Sequence, residues 1–260
     1  MVIEYQGNLI MIERIISGGQ TGADRAALDV AIELGIPHGG WIPKGRKTEE
    51  GRLSDEYHLL EATSTDYAQR TELNIVDSDA TLIMSYGPLT EGSALTQELA
   101  RKHRRPCLHI DLGEMSDSNA AEIINMWIDT RQIKILNVAG PRASSDPKIY
   151  EATRRVLKAV IELYLPHTIE EAVESIMTQL TLKDKTAIAN LKESESSSLL
   201  LSLGIDIGRK FGLRSFNKRL LDSCRLFSGD KHILEGDASA LIARELWKRL
   251  RETHGLRAVK

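Results

Sequence analysis

Between residues 10 and 165 the chain alternates short apolar runs with longer stretches whose apolar positions recur every three to four residues. The short runs Ile12–Ser17, Ala80–Tyr86, Pro106–Leu112 and Lys134–Ala139 read as strands. The amphipathic stretches Gly22–Leu34, Thr65–Ser78, Ser93–Arg101, Ala120–Thr130 and Lys148–Tyr164 read as helices. Strands separated by helices of this length predict right-handed β-α-β units, and so an α/β fold with a Rossmann-like, doubly wound parallel sheet covered on both faces. Leu34-Gly35-Ile36-Pro37 supplies a stop for the first helix, with Gly at the left-handed position and Pro soon after. Gly39–Arg46, rich in Gly and Pro, is expected to be a loop.

The pattern changes at Leu165-Pro166-His167-Thr168. Beyond it the strand runs disappear, and Ile169–Leu180, Lys183–Leu191, Ser197–Lys210, Ser215–Ser223 and Ala238–His254 all carry helical periodicity. Thr168-Ile169-Glu170-Glu171 has the capping-box form that starts a new helix. The expectation is a first domain over residues 1–166 and a smaller all-α domain over 167–260, with Glu193–Ser197 as a solvated turn or helix start.

Open α/β sheets bind ligands at the C-terminal ends of their strands, so the segments that follow the strands matter most. After the first run comes Gly18-Gly19-Gln20-Thr21-Gly22-Ala23-Asp24-Arg25, where glycines permit a tight turn and a helix start presents N–H groups and a positive dipole end. On the glycines alone, a phosphate cradle and a helix start capped by Thr21 fit equally well. It is neither a P-loop nor a G-x-G-x-x-G fingerprint. After Ala80–Tyr86 comes a second turn, Gly87 to Thr96, and after Lys134–Ala139 a third, Gly140-Pro141-Arg142-Ala143-Ser144. Three turns able to meet at one sheet edge point to a phosphorylated, nucleotide-like ligand. The candidate binding residues are Gly18, Gly19, Gln20, Thr21, Gly22 and Asp24 from the first turn and Gly92, Ser93 and Thr96 from the second. Lys44, Arg46 and Arg142 are the candidate anion contacts. Trp41 offers a face for a heterocycle or for packing, and Asp24 reads as a helix-dipole partner. His38, His58, His103 and His109 have no paired nucleophile and no metal spacing. No catalytic residue and no protein-borne metal site is assigned.

Bulk properties narrow the function classes. No apolar stretch has the length to span a bilayer, and Met1–Ser17 carries Glu4 and Glu13 without a basic leader, so no membrane or secretory segment is expected. Cys107 and Cys224 are too few and too separated for a disulfide framework, and a reducing cytoplasm is the expected setting. The net charge of −3 hides an asymmetry. Residues 167–260 hold 16 Lys and Arg against 13 Asp and Glu, leaving 18 against 24 in residues 1–166. Anions must therefore be held by local dipoles and placed cations rather than by a long-range field. Neither part has the basic stripe of a nucleic-acid binder.

Gly18-Gly19-Gln20-Thr21-Gly22-Ala23-Asp24-Arg25-Ala26, Pro43-Lys44-Gly45-Arg46, Tyr86-Gly87 with Gly92-Ser93-Ala94-Leu95-Thr96, and Asn137-Val138-Ala139-Gly140-Pro141-Arg142 together resemble the "putative molybdenum carrier" family. Its members are similar to molybdenum cofactor carrier proteins, within a Rossmann-like superfamily that also holds lysine-decarboxylase-like phosphoribohydrolases. Residues 167–260 resemble a small helical bacterial domain family of unknown function, through Gly204–Gly208, Asn217–Leu221, Asp237–Ile242 and Glu245-Leu246-Trp247. The resemblance implies a carrier of molybdenum cofactor (molybdopterin) or of another nucleotide-like phosphorylated molecule. Gly18–Asp24 would be the cradle, Gly92–Thr96 the second phosphate turn, and Lys44 and Arg142 the flanking cations. It also implies a homo-oligomer paired through helices, and a molybdoenzyme or other protein partner met through the helical domain. Two alternatives stay open. One is a nucleoside-monophosphate phosphoribohydrolase with Glu98 or Glu91 as acid, although Glu91 replaces a glycine of the relatives' Gly-Gly-x-Gly-Thr turn and Thr96 stands where their Glu is expected. The other is a ligand sensor that signals through the helical domain.

Overall fold

The computed structural model describes residues 12–191, 203–213 and 217–255. In chain order the first part runs β1 (Arg14–Ile16), α1 (Ala23–Leu34), β2 (His38–Gly39), β3 (Trp41–Ile42), β4 (Lys47–Thr48), β5 (Gly51–Arg52), β6 (Leu60–Glu61) and α2 (Tyr67–Val76). It continues with β7 (Ala80–Ser85), α3 (Glu91–Lys102), β8 (Cys107–Asp111), α4 (Asp117–Arg131), β9 (Ile135–Ala139) and α5 (Ile149–Glu162). Five of these strands form one parallel sheet in the order β2-β1-β9-β7-β8. All six residues of the interior strand β7 are buried, as a strand with helices on both faces requires.

Right-handed crossovers sort the helices. Connections that step toward the β2 edge carry α1 and α4, and α5 packs against both. Connections that step toward the β8 edge carry α2 and α3, which pack on each other. The winding of the connections therefore reverses between β9 and β7, and the loops leaving these two strands diverge to open a crevice at their C-terminal ends.

Gly39–Arg46 is not a plain loop. It holds part of β2, which completes the sheet edge, and β3, which pairs in parallel with β6 through Trp41↔Leu60 and Ile42↔Glu61. Two-residue strands carry no alternation that a sequence pattern could show. Long-range packing forms them instead. Gly40 (φ +122°) crosses so close to Ser17 that a Cβ would strike its carbonyl, and Asn74 of α2 accepts from Trp41 N (2.8 Å) and donates to its carbonyl (3.0 Å). Gly35 ends α1 at φ 66°, its N–H reaching the Ala31 and Ile32 carbonyls.

Chain contacts divide the molecule into two compact units at Leu163–Tyr164. The second holds α6 (Ile169–Gln179), α7 (Leu182–Ala189), a helix that includes residues 203–210 (α8), α9 (Lys218–Ser228) and α10 (Glu235–His254). Its core gathers Ile176, Phe211, Leu220, Ile242, Leu246 and Leu250, among others. Thr168 caps α6 by accepting from Glu171 N at 3.1 Å, and Glu171 accepts in return from His167 N at 2.7 Å. Buried Asn217 accepts from Leu220 N at the start of α9 and donates to the Pro166 and Phe211 carbonyls at 2.9 and 3.0 Å. The expected turn at Glu193–Ser197 lies outside the described residues. Among the described residues no helix is long and apolar enough to cross a membrane.

Candidate functional site

The three turns after β1, β7 and β9 meet at the crevice. Gln20 and Asp24 from the first line it, with Thr90, Gly92, Ser93 and Thr96 from the second and Gly140, Pro141, Arg142 and Ser145 from the third. Tyr67, Arg70 and Thr71 of α2 close one side. The enclosed part measures about 120 Å³ and is open to solvent. This is small beside the roughly 300–1,000 Å³ of most ligand pockets, so a nucleotide-sized molecule would project from it.

Glycine lets the turns approach. A Cβ on Gly22 (φ +78°) would collide with the Pro141 carbonyl, and one on Gly140 with the Met84 carbonyl. A Cβ on Gly18 would occupy the place of the Arg70 guanidinium. That guanidinium passes over Gly18 to reach Asp24, with Nη2 3.1 Å from Oδ2. Both side chains are nearly out of solvent, at 13% and 4% exposure. Beyond this ion pair, Asp24 Oδ2 and Arg70 Nε are buried with no other hydrogen-bond partner. Burial pushes the Asp24 carboxyl above its ordinary range, more than Arg70, the Gln20 amide and Arg25 pull it down. Asp24 is thus a buried ion-pair partner facing the crevice, a stronger role than the helix-dipole partner expected of it.

The first turn does not leave its donors free. The Gln20 amide goes to Asp24, Thr21 N donates to Gln20 Oε1 at 3.0 Å, and Ala23 N to the Pro141 carbonyl at 3.2 Å. Thr21 does not cap α1, whose N-cap is Gly22 with no side-chain cap. Its hydroxyl donates to Glu49 and accepts from Ala143 N at 3.1 Å. Of that turn only Gln20 and Asp24 face the crevice; Gly18, Gly19, Thr21 and Gly22 build its wall.

The expected cations separate. Arg142 reaches the crevice rim. Arg46 does not, because its buried guanidinium donates to the carbonyls of Leu53 (3.1 Å), Leu59 (3.1 Å), Ser54 (2.8 Å) and Tyr57 (2.8 Å) and lies 3.3 Å from Asp55. It organises residues 53–59 rather than an anion. Lys44 is exposed and outside the crevice lining. Trp41 is likewise outside it, its Nε1 donating to Asp77 at 2.6 Å. Ser93 and Thr96 are buried at the crevice wall, and the Thr96 hydroxyl donates to the Gly92 carbonyl at 2.8 Å. Glu98 is exposed and not among the lining residues, so it is poorly placed as an acid for the hydrolase alternative.

The histidines have other partners. His38 and His58 stack at 5.0 Å, His103 meets Glu72 at 2.6 Å, and His109 lies 2.8 Å from the Ser85 hydroxyl. The Ser85 hydroxyl also lies 2.9 Å from the Gly87 carbonyl, so it is shared between that carbonyl and His109. Burial holds the free thiols of Cys107 and Cys224 up at about 11 and about 12. Among the described residues no group of three or more His, Cys, Asp or Glu is placed to hold a metal ion.

The description of the circularly permutated YpsA SLOG family matches residues 15–161, more than half of the chain. The chain belongs to this family. A permuted order is legible in this family member's sheet: numbered from β9, the strand order β2-β1-β9-β7-β8 becomes 3-2-1-4-5, the Rossmann arrangement. A solved structure from Syntrophus aciditrophicus SB, named Putative molybdenum carrier protein, is similar to this chain at 54% identity and a TM-score of 0.58. The match covers 58% of this chain and 96% of that one. Residues 165–250 match a domain of unknown function, DUF6794. No curated protein matches the chain.

Sequence reasoning missed Arg70 and Glu49, and it named Ser144 only as a member of the third turn. Arg70 reads as one charge on an amphipathic helix, and Glu49 as one of two acids in a polar stretch. No local signal marks them, because both reach the site only through tertiary contacts.

Proposed function

We propose that this SLOG-family protein binds a phosphorylated, nucleotide-like small molecule in the crevice between β9 and β7 and carries it, with molybdenum cofactor (molybdopterin) as the leading candidate. The supporting observation is the joint lining of one crevice by the turns after β1, β7 and β9, with donors at its rim and an under-bonded acid in its wall. Arg142, Ser93 and the start of α3 offer donors to an oxyanion. Asp24 Oδ2, buried with no hydrogen-bond partner beyond the Arg70 ion pair, suits a donor on the other end of the ligand, such as a ring amino group or a sugar hydroxyl. A pterin phosphate presents both chemistries, and so does a nucleoside monophosphate. The name of the Syntrophus structure favours the first.

Calorimetric titration of the purified chain with molybdenum cofactor and with nucleoside monophosphates tests the reading. Saturable binding that weakens at least tenfold in Arg142→Ala and in Ser93→Ala is expected, a loss of about 1.4 kcal/mol or more. Absence of binding for every phosphorylated ligand at millimolar concentration would reject it. Release of free base and ribose phosphate from a nucleotide would instead favour the hydrolase.

A further inference from the structure

The hairpin β4–β5 belongs to neither the central sheet nor the β3–β6 pair, and its two strands pair only with each other. Its base is clamped, since Arg46 N donates to the Pro43 carbonyl, Leu53 N donates to the Arg46 carbonyl, and the buried Arg46 side chain ties residues 53–59 beneath it. The flanking Gly45 (φ +79°) and Gly51 (φ +105°) would have no atom within 4 Å of an added Cβ. The tip, Glu49-Glu50, reaches back to the first turn. Glu49 N donates to Gln20 Oε1 at 2.9 Å. The Glu49 carboxylate accepts from the Thr21 hydroxyl, from Ser144 N at 3.2 Å and from Ser144 Oγ at 2.5 Å. Arg142 adds its charge nearby.

A carboxylate so held does what a ligand oxyanion would do. It takes two hydroxyls and an amide from the turns after β1 and β9, beside a guanidinium that also lines the crevice. Desolvation alone would raise this carboxyl, and the bonds from Ser144 and Thr21, with Arg142, more than offset that and keep it below its ordinary range. We propose that Thr21, Ser144 and Arg142 form an oxyanion subsite which Glu49 fills in the free protein, and that a tetrahedral oxyanion, such as a terminal phosphate, displaces Glu49 and releases the hairpin tip. This subsite rests on the reading of the crevice as a phosphorylated-ligand site. It adds that the protein carries its own competitor for one anionic group of the ligand. Displacement moves one small hairpin with two pairing positions, so little other structure is broken.

The test uses the full chain and inorganic phosphate, followed by amide NMR shifts. Glu49→Ala is expected to bind phosphate at least tenfold more tightly than the parent, with saturable shifts at Thr21 and Ser144, and Glu49→Gln to fall between. Thr21→Val in the Glu49→Ala background is expected to abolish the gain. Parent-like phosphate affinity in Glu49→Ala, or a gain that survives Thr21→Val, overturns the proposal. Its failure is separable from that of the wider reading. Nucleotide binding that responds to Arg142→Ala while Glu49→Ala changes nothing refutes only the competitor. A phosphate gain in Glu49→Ala with no nucleotide or cofactor binding keeps the subsite and refutes only the ligand class.

Discussion

Replacing Arg70 by Met removes the partner of a carboxylate that is only 4% exposed, and retains most of the side chain's apolar stem. A buried charge left without its partner typically destabilises by about 3–5 kcal/mol. At roughly 2–4 °C per kcal/mol for a unit of this size, the melting transition of the sheet-containing unit should fall by about 10 °C near pH 7.5. The loss should depend on pH. The folded Asp24 carboxyl already sits above its ordinary value of 3.8, so the stability linked to it is full below that value and declines as pH rises through the folded value. Without Arg70 the folded value rises further and the decline extends to higher pH. The deficit of Arg70→Met relative to the parent should therefore be small near pH 4 and grow toward pH 8. Asp24→Asn combined with Arg70→Met removes the charge, keeps an oxygen for the Gln20 amide, and should recover to within about 1 kcal/mol of the parent. Scanning calorimetry of the parent, the Arg70→Met variant and the double variant at pH 4, 6 and 8 is the assay. A deficit that does not change with pH, or a double variant as unstable as the single, would refute the coupled-pair reasoning.

Two further predictions concern a buried staple outside the crevice and a glycine in its wall. Arg46→Met removes the guanidinium donors to four carbonyls of residues 53–59, of which Ser54 and Tyr57 keep a backbone donor, and should destabilise by about 3 kcal/mol, with limited proteolysis showing new cleavage between Leu53 and Leu59; unchanged resistance would contradict the staple role. Gly22→Ala places a side chain at φ +78°, ψ −131° against the Pro141 carbonyl, and should lose about 3 kcal/mol of stability together with any ligand binding at Arg142; a parent-like melting curve would show that the two turns need not touch.

The parallel sheet was legible because its central strands are continuous apolar runs and its helices carry long periodic faces, and both signals are local. The three glycine turns were legible for the same reason, since turn chemistry is written in adjacent residues such as Gly140-Pro141-Arg142. The stop at Gly35 and the cap at Thr168 were equally local. Strand order is not local. That β9 lies between β1 and β7, and so sets the crevice at its own C-terminal end, follows from how the four apolar runs and the two-residue β2 pair across the whole unit.

The sorting of charged residues also had to wait for the fold. Arg46 and Arg142 look alike in sequence, each beside a Gly-Pro-rich turn. One is buried among four carbonyls and the other faces the crevice, because the stretch before Leu53 folds over its own base while the turn after β9 opens to solvent. Arg70 and Asp24 lie 46 positions apart in sequence and meet only because Gly18 leaves room for a guanidinium to cross. Composition and periodicity determined the layers of this protein and where its turns fall. Which side chains those turns bring into contact was decided by packing, because a charged group takes its role from the distant atoms that surround it.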